Sequence, residues 1–432
     1  MNESAAASLI ELGDTENVTT ARRSLDSICT WAISLIGLII LTNASALAQW
    51  STKGPETACG ELPEPISYLQ VPGKPFQVIP AGRACYAFVS LLGENGSSQA
   101  GVAVIRRGGG ASVVRVVPLE GYPAGMVLTH DGHMLIVAAG DRVAFLDSDK
   151  LLSASASAVL GYLQDAEAGS IQANVTRDDH YLFLSDEDAG TIRVVDLGKA
   201  RRANFGESGI VGNIPVGDAP IALSFSPNGR YLYTTTQEAP STYGWPLACR
   251  PQGGDSTQPP NHTRGAILVI DVARALIDPA HSVVSAVAAG CNPVRLQISV
   301  AGDIAFVTAR SDNQLLAFDT ARLLDDTAHA LIGRVPVGPA PVGITVIDDG
   351  SKIVVANSNR FAGDAAEQFL TVVDVSRVSQ GSAAVLGTIP AGAFPRELTL
   401  DPDGRTLYLT NFASHSVEII DLTRVQFDPV RF

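Results

Sequence analysis

One phrase recurs along most of this chain and constrains its fold more than any other feature. Two clear copies open with Val-Gly-Asp-Ala-Pro at 216–220 and Ala-Gly-Ala-Phe-Pro at 391–395. They continue with Ser-Pro-Asn-Gly-Arg-Tyr-Leu-Tyr at 226–233 and Asp-Pro-Asp-Gly-Arg-Thr-Leu-Tyr at 401–408. A unit repeated in this way cannot bury its own apolar faces, so neighbouring copies must stack on each other. The chain is therefore predicted to be a repeat protein.

Two independent markers set the period of the repeat. The proline that opens a copy recurs at Pro75, Pro123, Pro220, Pro293, Pro341 and Pro395. The first interval is 48 residues, and the 97 residues from Pro123 to Pro220 amount to two periods, so a copy with Ser170 in the proline position is expected between them. The aspartate that closes the third strand keeps the same period, at Asp147, Asp196, Asp271, Asp319, Asp374 and Asp421. Seven copies are predicted.

Each copy divides into four short strands. In the fourth copy an apolar strand follows Pro220, a turn is predicted at Asn228-Gly229, and further strands are predicted at 231–235 and 267–271. Asn-Gly supplies the positive φ that tight hairpins need. Four strands in a unit of about 48 residues are typical of a propeller blade. We therefore predict an all-β, seven-bladed β-propeller with four antiparallel strands per blade.

Blade seven lacks a fourth strand unless the two ends of the repeat region meet. Residues 66–71 precede Pro75 as the Ile-Pro-Val-Gly strand precedes Pro220. This N-terminal strand is therefore predicted to complete blade seven and close the ring. The alternative is that residues 425–430 supply the closing strand.

The repeated phrases also resemble a known family. Ile-Pro-Val-Gly at 214–217, the phrase at 226–233 and Leu-Tyr-Leu-Thr-Asn at 407–411 are similar to the YVTN-repeat β-propeller family, over roughly residues 66–425. That family is related to the lactonase-type seven-bladed propellers. The resemblance implies the ring, and it leaves the function open because these motifs encode ring geometry.

The N-terminal region has the pattern of an export signal. An apolar stretch at 28–42 follows Arg22-Arg23 and precedes Ala46-Leu47-Ala48, which suits a cleavage site. We predict a signal peptide with an extended n-region at 1–48, a flexible leader at 49–65 and the propeller at 66–432, which is then secreted or periplasmic without a stable membrane span. An uncleaved anchor is the alternative. A net charge of −14 disfavours nucleic acid as a partner, and we expect a monomer.

Four cysteines remain after removal of the signal peptide, and an exported chain with four thiols is expected to hold two disulfides. Cys249 lies in a long insertion at 239–264 between strands two and three of blade four, and Cys291 lies in the next connection from a fourth to a first strand. These connections emerge on one face of the ring, which favours Cys249–Cys291 and leaves Cys59–Cys85. Sequence alone permits three connectivities, and free buried thiols are the alternative.

Candidate site residues lie where the repeat places them at one mouth of the channel. The residue two after the proline position is large and polar in three blades, as Gln172, Arg295 and Glu397. The alternative reading of the latter two is a structural ion pair that closes the channel. Arg396 and the connections between strands two and three add further candidates, Arg310, Asn359, Asn411 and His415.

Two functions from different classes fit these residues. The first is a binding module that takes a small-molecule or protein ligand through one face of the ring. The second is a lactonase-like hydrolase in which Arg295 and Arg396 hold an anionic substrate and Glu397 or His415 activates water. A redox accessory role is a third alternative, because similar rings host quinone or haem chemistry. No metal-ligand spacing and no cofactor motif is found, although calcium is compatible with a channel of carboxylates and carbonyls.

Overall fold

The repeat folds into seven four-stranded antiparallel sheets, which confirms the predicted seven-bladed β-propeller. A computed structural model describes residues 59–429, except 84, 94–99, 109, 154–156, 165–167, 254–256 and 362–367. The predicted signal peptide at 1–48 and residues 49–58 of the predicted leader lie outside the described residues.

Each blade runs from an inner first strand to an outer fourth strand. Blade one contains β2 (Lys74–Pro80), β3 (Tyr86–Leu92), β4 (Gly101–Arg106) and β5 (Ser112–Pro118). Blade two contains β6 (Met126–Leu128), β7 (Met134–Ala138), β8 (Arg142–Asp147) and β9 (Val159–Gln164). Blade three contains β10 (Ser170–Val175), β11 (Tyr181–Asp186), β12 (Thr191–Asp196) and β13 (Ile210–Pro215). Blade four contains β14 (Asp218–Phe225), β15 (Tyr231–Glu238), β18 (Ala266–Asp271) and β19 (Val283–Ala288), with a small hairpin of β16 (Leu247–Cys249) and β17 (His262–Thr263) in its insertion.

The remaining blades repeat this order. Blade five contains β20 (Pro293–Ile298), β21 (Ile304–Ala309), β22 (Gln314–Asp319) and β23 (Leu331–Pro336). Blade six contains β24 (Pro341–Ile347), β25 (Lys352–Asn357), β26 (Phe369–Asp374) and β27 (Val385–Pro390). Blade seven contains β28 (Pro395–Leu400), β29 (Thr406–Asn411), β30 (Ser416–Asp421) and β1 (Ile66–Gln70).

Helices in the described residues are short. The α-helices are α1 (Ser148–Leu152), α2 (Leu197–Arg202), α3 (Val272–Ala275) and α4 (Arg322–Asp325). The 3₁₀ segments are Glu207–Gly209, Ser241–Tyr243, Pro279–His281, Arg310–Asp312, Thr327–His329, Asp348–Gly350 and Val375–Ala384. Three of the α-helices begin directly after the marker aspartate, whose side chain accepts a backbone N–H of the first turn, as Asp147 does from Lys150. No helix of the described part is long and apolar enough to cross a bilayer.

The N-terminal strand closes the ring, as the register of the repeat predicts. β1 pairs with β30 from Ile66 opposite Ile420 to Gln70 opposite Ser416. The alternative closure by residues 425–430 is wrong, because β1 already occupies the edge of β30. Asp428 pairs instead with Thr388 of β27 in blade six, through backbone hydrogen bonds of 2.9 and 2.8 Å.

The core lies between adjacent blades. Phe183 of blade three and Leu268 of blade four belong to one cluster of buried residues, and both are fully buried. Phe306 of blade five and Val355 of blade six belong to another such cluster. Each sheet therefore buries both of its faces on its neighbours, which is why the second and third strands read as nearly continuous apolar runs.

A ring of hydroxyl groups joins neighbouring blades beside the channel. The fifth residue of the second strand is serine or threonine in five blades, as Ser90, Ser185, Thr235, Thr308 and Thr410. Each hydroxyl donates to a backbone carbonyl of the following blade, and Thr410 donates across the closure to the Phe76 carbonyl at 2.9 Å. The hydroxyls thus satisfy inner-strand carbonyls that no strand of their own blade can reach.

In blades two and six no hydroxyl is available at this position to bridge to the following blade. Ala138 and Ala356 occupy the hydroxyl position there, and Gly125 and Gly343 occupy the position two after the proline. The Gly125 N–H donates directly to the Ile171 carbonyl of blade three at 2.9 Å. A Cβ on Gly343 would collide with the Arg396 carbonyl oxygen of blade seven. The two glycines therefore permit a backbone approach that replaces the hydroxyl bridge.

Both predicted disulfides are present, so the alternative of free thiols is wrong. Cys59 is bonded to Cys85, and Cys249 to Cys291, with Cα–Cα distances of 5.2 and 5.5 Å. Cys249 ends β16 in the insertion, and Cys291 lies in the connection between β19 and β20. The second bond therefore fastens the insertion of blade four to the start of blade five.

Candidate ligand site at one mouth of the channel

A bulge at the start of the inner strand directs side chains into the channel in five of the seven blades. In five blades the pairing of the first and second strands shifts register between the proline and the residue three positions later, as from Pro293 to Leu296. The two intervening residues are left out of the ladder, and bulges of this kind re-aim side chains. The first intervening residue faces one cavity and the second faces another. Val294 lines a cavity of about 360 Å³, whereas Glu397 lines one of about 550 Å³ on the other side.

The predicted pairing of Arg295 with Glu397 is present between these two cavities. Arg295 Nε donates to Glu397 Oε1 at 2.7 Å, and the two residues are only 6% and 7% exposed. Arg295 belongs to blade five and Glu397 to blade seven, and blade six contributes Gly343 between them. Arg295 lines both cavities. The ion pair therefore forms a partition across the channel.

The smaller cavity collects arginines, and we call it the arginine mouth. Connections between the second and third strands of blades three, five and six supply Glu187, Arg310 and Arg360, and β28 supplies Arg396. The complete lining is Ile171, Glu187, Ile221, Gln237, Gln252, Val294, Arg295, Arg310, Val342, Arg360 and Arg396. Gln252 comes from the insertion of blade four, so the disulfide-anchored insertion reaches the mouth.

Arg295 is held by the Glu397 carboxylate, whereas amides and aromatic rings hold Arg310, Arg360 and Arg396. Arg310 donates to Gln237 Oε1, which also accepts from Gln252 Nε2 at 3.2 Å. The Arg396 guanidinium lies 3.9 Å from the centroid of the Phe76 ring, and Arg360 lies 5.4 Å from that of Phe394. Stacking on a ring face orients a guanidinium while leaving its N–H groups free to donate.

The arginine mouth holds more arginines than carboxylates. Within the described residues, Glu187 and Glu397 act on its four arginines, which leaves a formal net charge of +2. Burial and the neighbouring Arg295 lower the pKa of Arg396 to about 9. Burial and the neighbouring Arg360 likewise lower the pKa of Arg310 to about 10. The charged arginines are therefore destabilised by each other in the folded protein.

Several arginine N–H groups of the mouth have no acceptor. Among the described residues, Arg396 makes no hydrogen bond or ion pair, and its Nε is buried without a partner. Arg310 Nε and Arg295 Nη1 are also buried donors without an acceptor in that part of the chain. A buried unpaired donor on a charged group is costly. An anion placed in the mouth would offset its net positive charge.

The structure brings some of the predicted site residues together and separates others. Arg295, Arg310 and Arg396 share the arginine mouth, with Glu397 at its partition. Gln172 lines the larger cavity on the other side, and Asn359 lines an adjoining cavity of about 370 Å³ beside Cys249–Cys291.

Two of the four predicted residues of blade seven, Asn411 and His415, do not line any of these three cavities. Asn411 is fully buried and donates from Nδ2 to Glu418 Oε2 at 2.9 Å. His415 occupies the β29–β30 turn with a φ of 52° and is not among the lining residues of these cavities. His415 therefore does not line the arginine mouth.

Comparison with known proteins places the chain by its fold. No family model matches the sequence, and no curated protein matches it. A chain of hydrazine synthase from Kuenenia stuttgartiensis superposes with a TM-score of 0.60 at 15% identity, covering 86% of this chain and 99% of that one. A chain of a mitotic checkpoint complex superposes with a TM-score of 0.59 at 16% identity, covering 86% and 98%. These likenesses show the fold alone.

Sequence reasoning missed the residues that line the mouth beside the arginines. Ile171, Ile221, Val294 and Val342 occupy the position directly after the proline in blades three to six, and Phe76 occupies it in blade one. Aligning this position, as well as the next one, would have found them. Gln237 had no repeat signal, because it lies in the part of β15 that runs into the insertion.

Proposed function

We propose that this protein is an exported binding propeller that holds a small anionic ligand in the arginine mouth. The observation that carries the proposal is Arg396, a charged side chain fixed on the Phe76 ring that has no hydrogen-bond or ion-pair partner in the described residues. Donors that are oriented by aromatic rings and left without an acceptor are suited to an external acceptor.

The surroundings of Arg396 support an anion rather than a neutral ligand. Arg310 and Arg360 converge on the same cavity, and the pKa of each is lowered by burial, with Glu187 acting in the opposite direction. An anion would offset the repulsion among the arginines, so part of the binding free energy would come from reducing that repulsion.

Export is the second part of the proposal. Two disulfides are typical of proteins that fold in oxidising compartments, and the pattern at 1–48 is that of a signal peptide. We propose a secreted or periplasmic monomer. Neither calcium nor nucleic acid is part of the proposed interaction.

Calorimetric titration of the purified protein with acetate and sulfate at constant ionic strength tests the binding proposal. We expect at least one of the two anions to bind, and Arg396→Gln to weaken that binding at least tenfold because it removes the unpartnered guanidinium. Arg106→Gln is the matched control, since Arg106 is an exposed arginine over the Tyr86 ring of blade one and outside the mouth. The proposal is wrong if neither anion binds, or if Arg396→Gln binds as well as the wild type.

A lactonase-like hydrolase is the second candidate function. The observation in its favour is that Glu397 places a carboxylate at the partition, next in sequence to Arg396 and in contact with Arg295. Turnover of a panel of lactones and small esters, with and without calcium, tests it. Hydrolysis that is abolished in Glu397→Gln, with a circular dichroism spectrum unchanged from the wild type, would support an enzyme. Turnover that is absent in the wild type would remove this candidate and leave the binding proposal intact.

A further inference from the structure

We infer that the larger cavity, on the other side of the partition from the arginine mouth, binds a neutral polyol of monosaccharide size. Four carboxamide side chains line this cavity, those of Gln77, Gln172, Asn174 and Gln297. We call it the amide cavity. The ion pair of Arg295 and Glu397 separates it from the arginine mouth, so this second site does not depend on the proposed anion site.

The repeat alternates large and small side chains around the amide cavity. In blades one to seven, the position two after the proline position holds Gln77, Gly125, Gln172, Ala222, Arg295, Gly343 and Glu397. A Cβ on Gly125 would overlap the carboxamide of Gln172, so the glycine leaves the space in which that carboxamide lies. The small residues therefore allow four large polar side chains to occupy equivalent positions of the ring without collision.

Several polar atoms of these side chains have no partner in the described part of the chain and are not buried. Gln77 Oε1 accepts the Met126 N–H at 2.6 Å, which leaves Gln77 Nε2 without an acceptor. Gln172 makes no hydrogen bond there; its Oε1 is buried, and its Nε2 is not. Glu397 Oε1 accepts from Arg295, and Glu397 Oε2 accepts from no described group. The wall thus offers a ligand both donors and an acceptor.

The inner wall of the amide cavity carries no net charge, unlike the arginine mouth. Arg295 and Glu397 neutralise each other, and the carboxamides are neutral. The other ionisable residues of the lining, His130 and Arg177, are exposed in the turns after β6 and β10. An ion would lose its water here without gaining an opposite charge. A neutral ligand with several hydroxyl groups fits better, because each hydroxyl both donates and accepts.

The volume of the amide cavity sets the size of the ligand. A cavity of about 550 Å³ has room for about eighteen water molecules, at the roughly 30 Å³ that each occupies in the liquid. A six-carbon sugar of about twelve non-hydrogen atoms therefore fits together with a few waters. The half-buried ring of Phe225 also lines the cavity and packs edge-on against Phe183, with a centroid distance of 5.5 Å. It offers an apolar surface to the C–H groups of a sugar ring.

Titration of the wild-type protein with neutral polyols tests the inference. The polyols are glucose, galactose, mannose and myo-inositol, and the reference compound is cyclohexanol, a six-membered ring with one hydroxyl. We expect calorimetry to give a Kd of about 1 mM or lower for at least one polyol. Cyclohexanol should bind about tenfold more weakly than that polyol, because one hydroxyl cannot reach several polar groups. The inference is wrong if none of the four polyols binds this tightly, or if cyclohexanol binds as tightly as the best of them.

Gln172→Leu sharpens the test, because Gln172 makes no hydrogen bond in the described residues and its replacement orphans no partner there. We expect it to weaken binding of the best polyol about threefold or more, with an unchanged circular dichroism spectrum. The matched control is Gln380→Leu, at an exposed glutamine that lines none of the three cavities. Equal polyol binding by the two variants would place the polyol elsewhere and overturn the inference.

A second variant keeps the test decisive if Gln172→Leu does not fold. Gln297→Leu removes another carboxamide of the same wall, from β20 of blade five, and should weaken polyol binding in the same way. The two sites of the channel are distinguished by their ligands. Binding of acetate or sulfate without any polyol would overturn this inference and leave the proposed anion site intact, whereas polyol binding alone would support the amide cavity and remove the anion site.

Discussion

Blades three and seven use the same two strand positions for buried polar side chains, and they balance the charge differently. In blade three, Arg193 donates to Asp186 Oδ2 from Nε at 2.9 Å and from Nη2 at 2.7 Å. In blade seven the equivalent residues are Glu418 and Asn411, and Asn411 Nδ2 donates to Glu418 Oε2 at 2.9 Å. The first pair matches a carboxylate with a cation, whereas the second offers a buried carboxyl only an amide.

The Glu418 carboxyl, which has no cationic partner in the described residues, is harder to ionise than a carboxyl in water. Burial raises the pKa of Glu418 to about 7, against hydrogen bonds from Asn411 and the Gly392 N–H that lower it. Glu418 Oε1 has no donor in the described part of the chain. Blade six carries a neutral threonine, Thr371, at this position. The comparison teaches that the repeat fixes where a polar side chain is buried, and each blade satisfies that position with its own chemistry.

The largest effect is expected from breaking the matched pair of blade three. Arg193→Leu would remove both guanidinium donors to Asp186 Oδ2 and leave this carboxylate buried without that cation, while Ser170 Oγ still donates to it at 2.6 Å. We expect a loss of about 3–5 kcal/mol in the free energy of unfolding, measured by urea denaturation. Adding Asp186→Leu should restore most of that loss, because it removes the buried carboxylate that Arg193 neutralises. A double variant as unstable as the single one would show that packing of Arg193, and not its charge, stabilises blade three.

The pH dependence of stability probes the unmatched carboxyl of blade seven. Because the folded-state pKa of Glu418 lies above its usual 4.5, the stability that its neutral form contributes is full below about pH 4.5 and is lost as the pH rises through about 7. At about 1.4 kcal/mol per pKa unit, the loss is on the order of 3 kcal/mol. Unfolding measured between pH 4 and 8 should show this loss in the wild type relative to Glu418→Gln. An equal pH slope in the two proteins would rule out titration of Glu418 in this range.

The smallest effect is expected at the hydroxyl bridges of the same two blades. Thr410 accepts from the Glu397 N–H at 3.0 Å and donates to the Phe76 carbonyl at 2.9 Å, whereas Ser185 donates to the Ile221 carbonyl at 3.0 Å. Thr410→Val and Ser185→Ala should each cost about 1–2 kcal/mol, and the cost should be larger for Thr410, which satisfies two backbone groups. Equal thermal denaturation of the two variants would mean that the closing interface is no more sensitive than an internal one.

Much of this architecture is predictable from the spacing of a few residues. Prolines and aspartates that keep one period locate every blade, and the same register assigns β1 to blade seven. The Arg295–Glu397 pair also follows from alignment, because the position two after the proline repeats in space as it does in sequence. Local signals that recur at every blade are sufficient for these features.

The rest depends on contacts that have no period. Arg310 and Arg360 are loop residues, and their convergence on Arg396 is set by the paths of single connections. Asn411 reads as a polar loop residue beside the turn, yet its partner Glu418 lies on the next strand and holds it inside the blade. His415 adopts a φ of 52° in that same turn, and its carbonyl accepts the Val71 N–H, a contact that no period in the sequence predicts. Such details differ between blades that share the same repeat phrase.

The pairing of β1 with β30 makes synthesis order part of the architecture. Of the described strands, β1 leaves the ribosome first and its partner β30 last, with 345 residues between Gln70 and Ser416. The Cys59–Cys85 bond ties the segment before β1 to blade one. This bond keeps β1 close to the position where it pairs with β30. A chain interrupted before β30 would present an unpaired edge at each end of an open ring. The last blade to be made therefore determines whether those edges meet within one molecule or join those of a second.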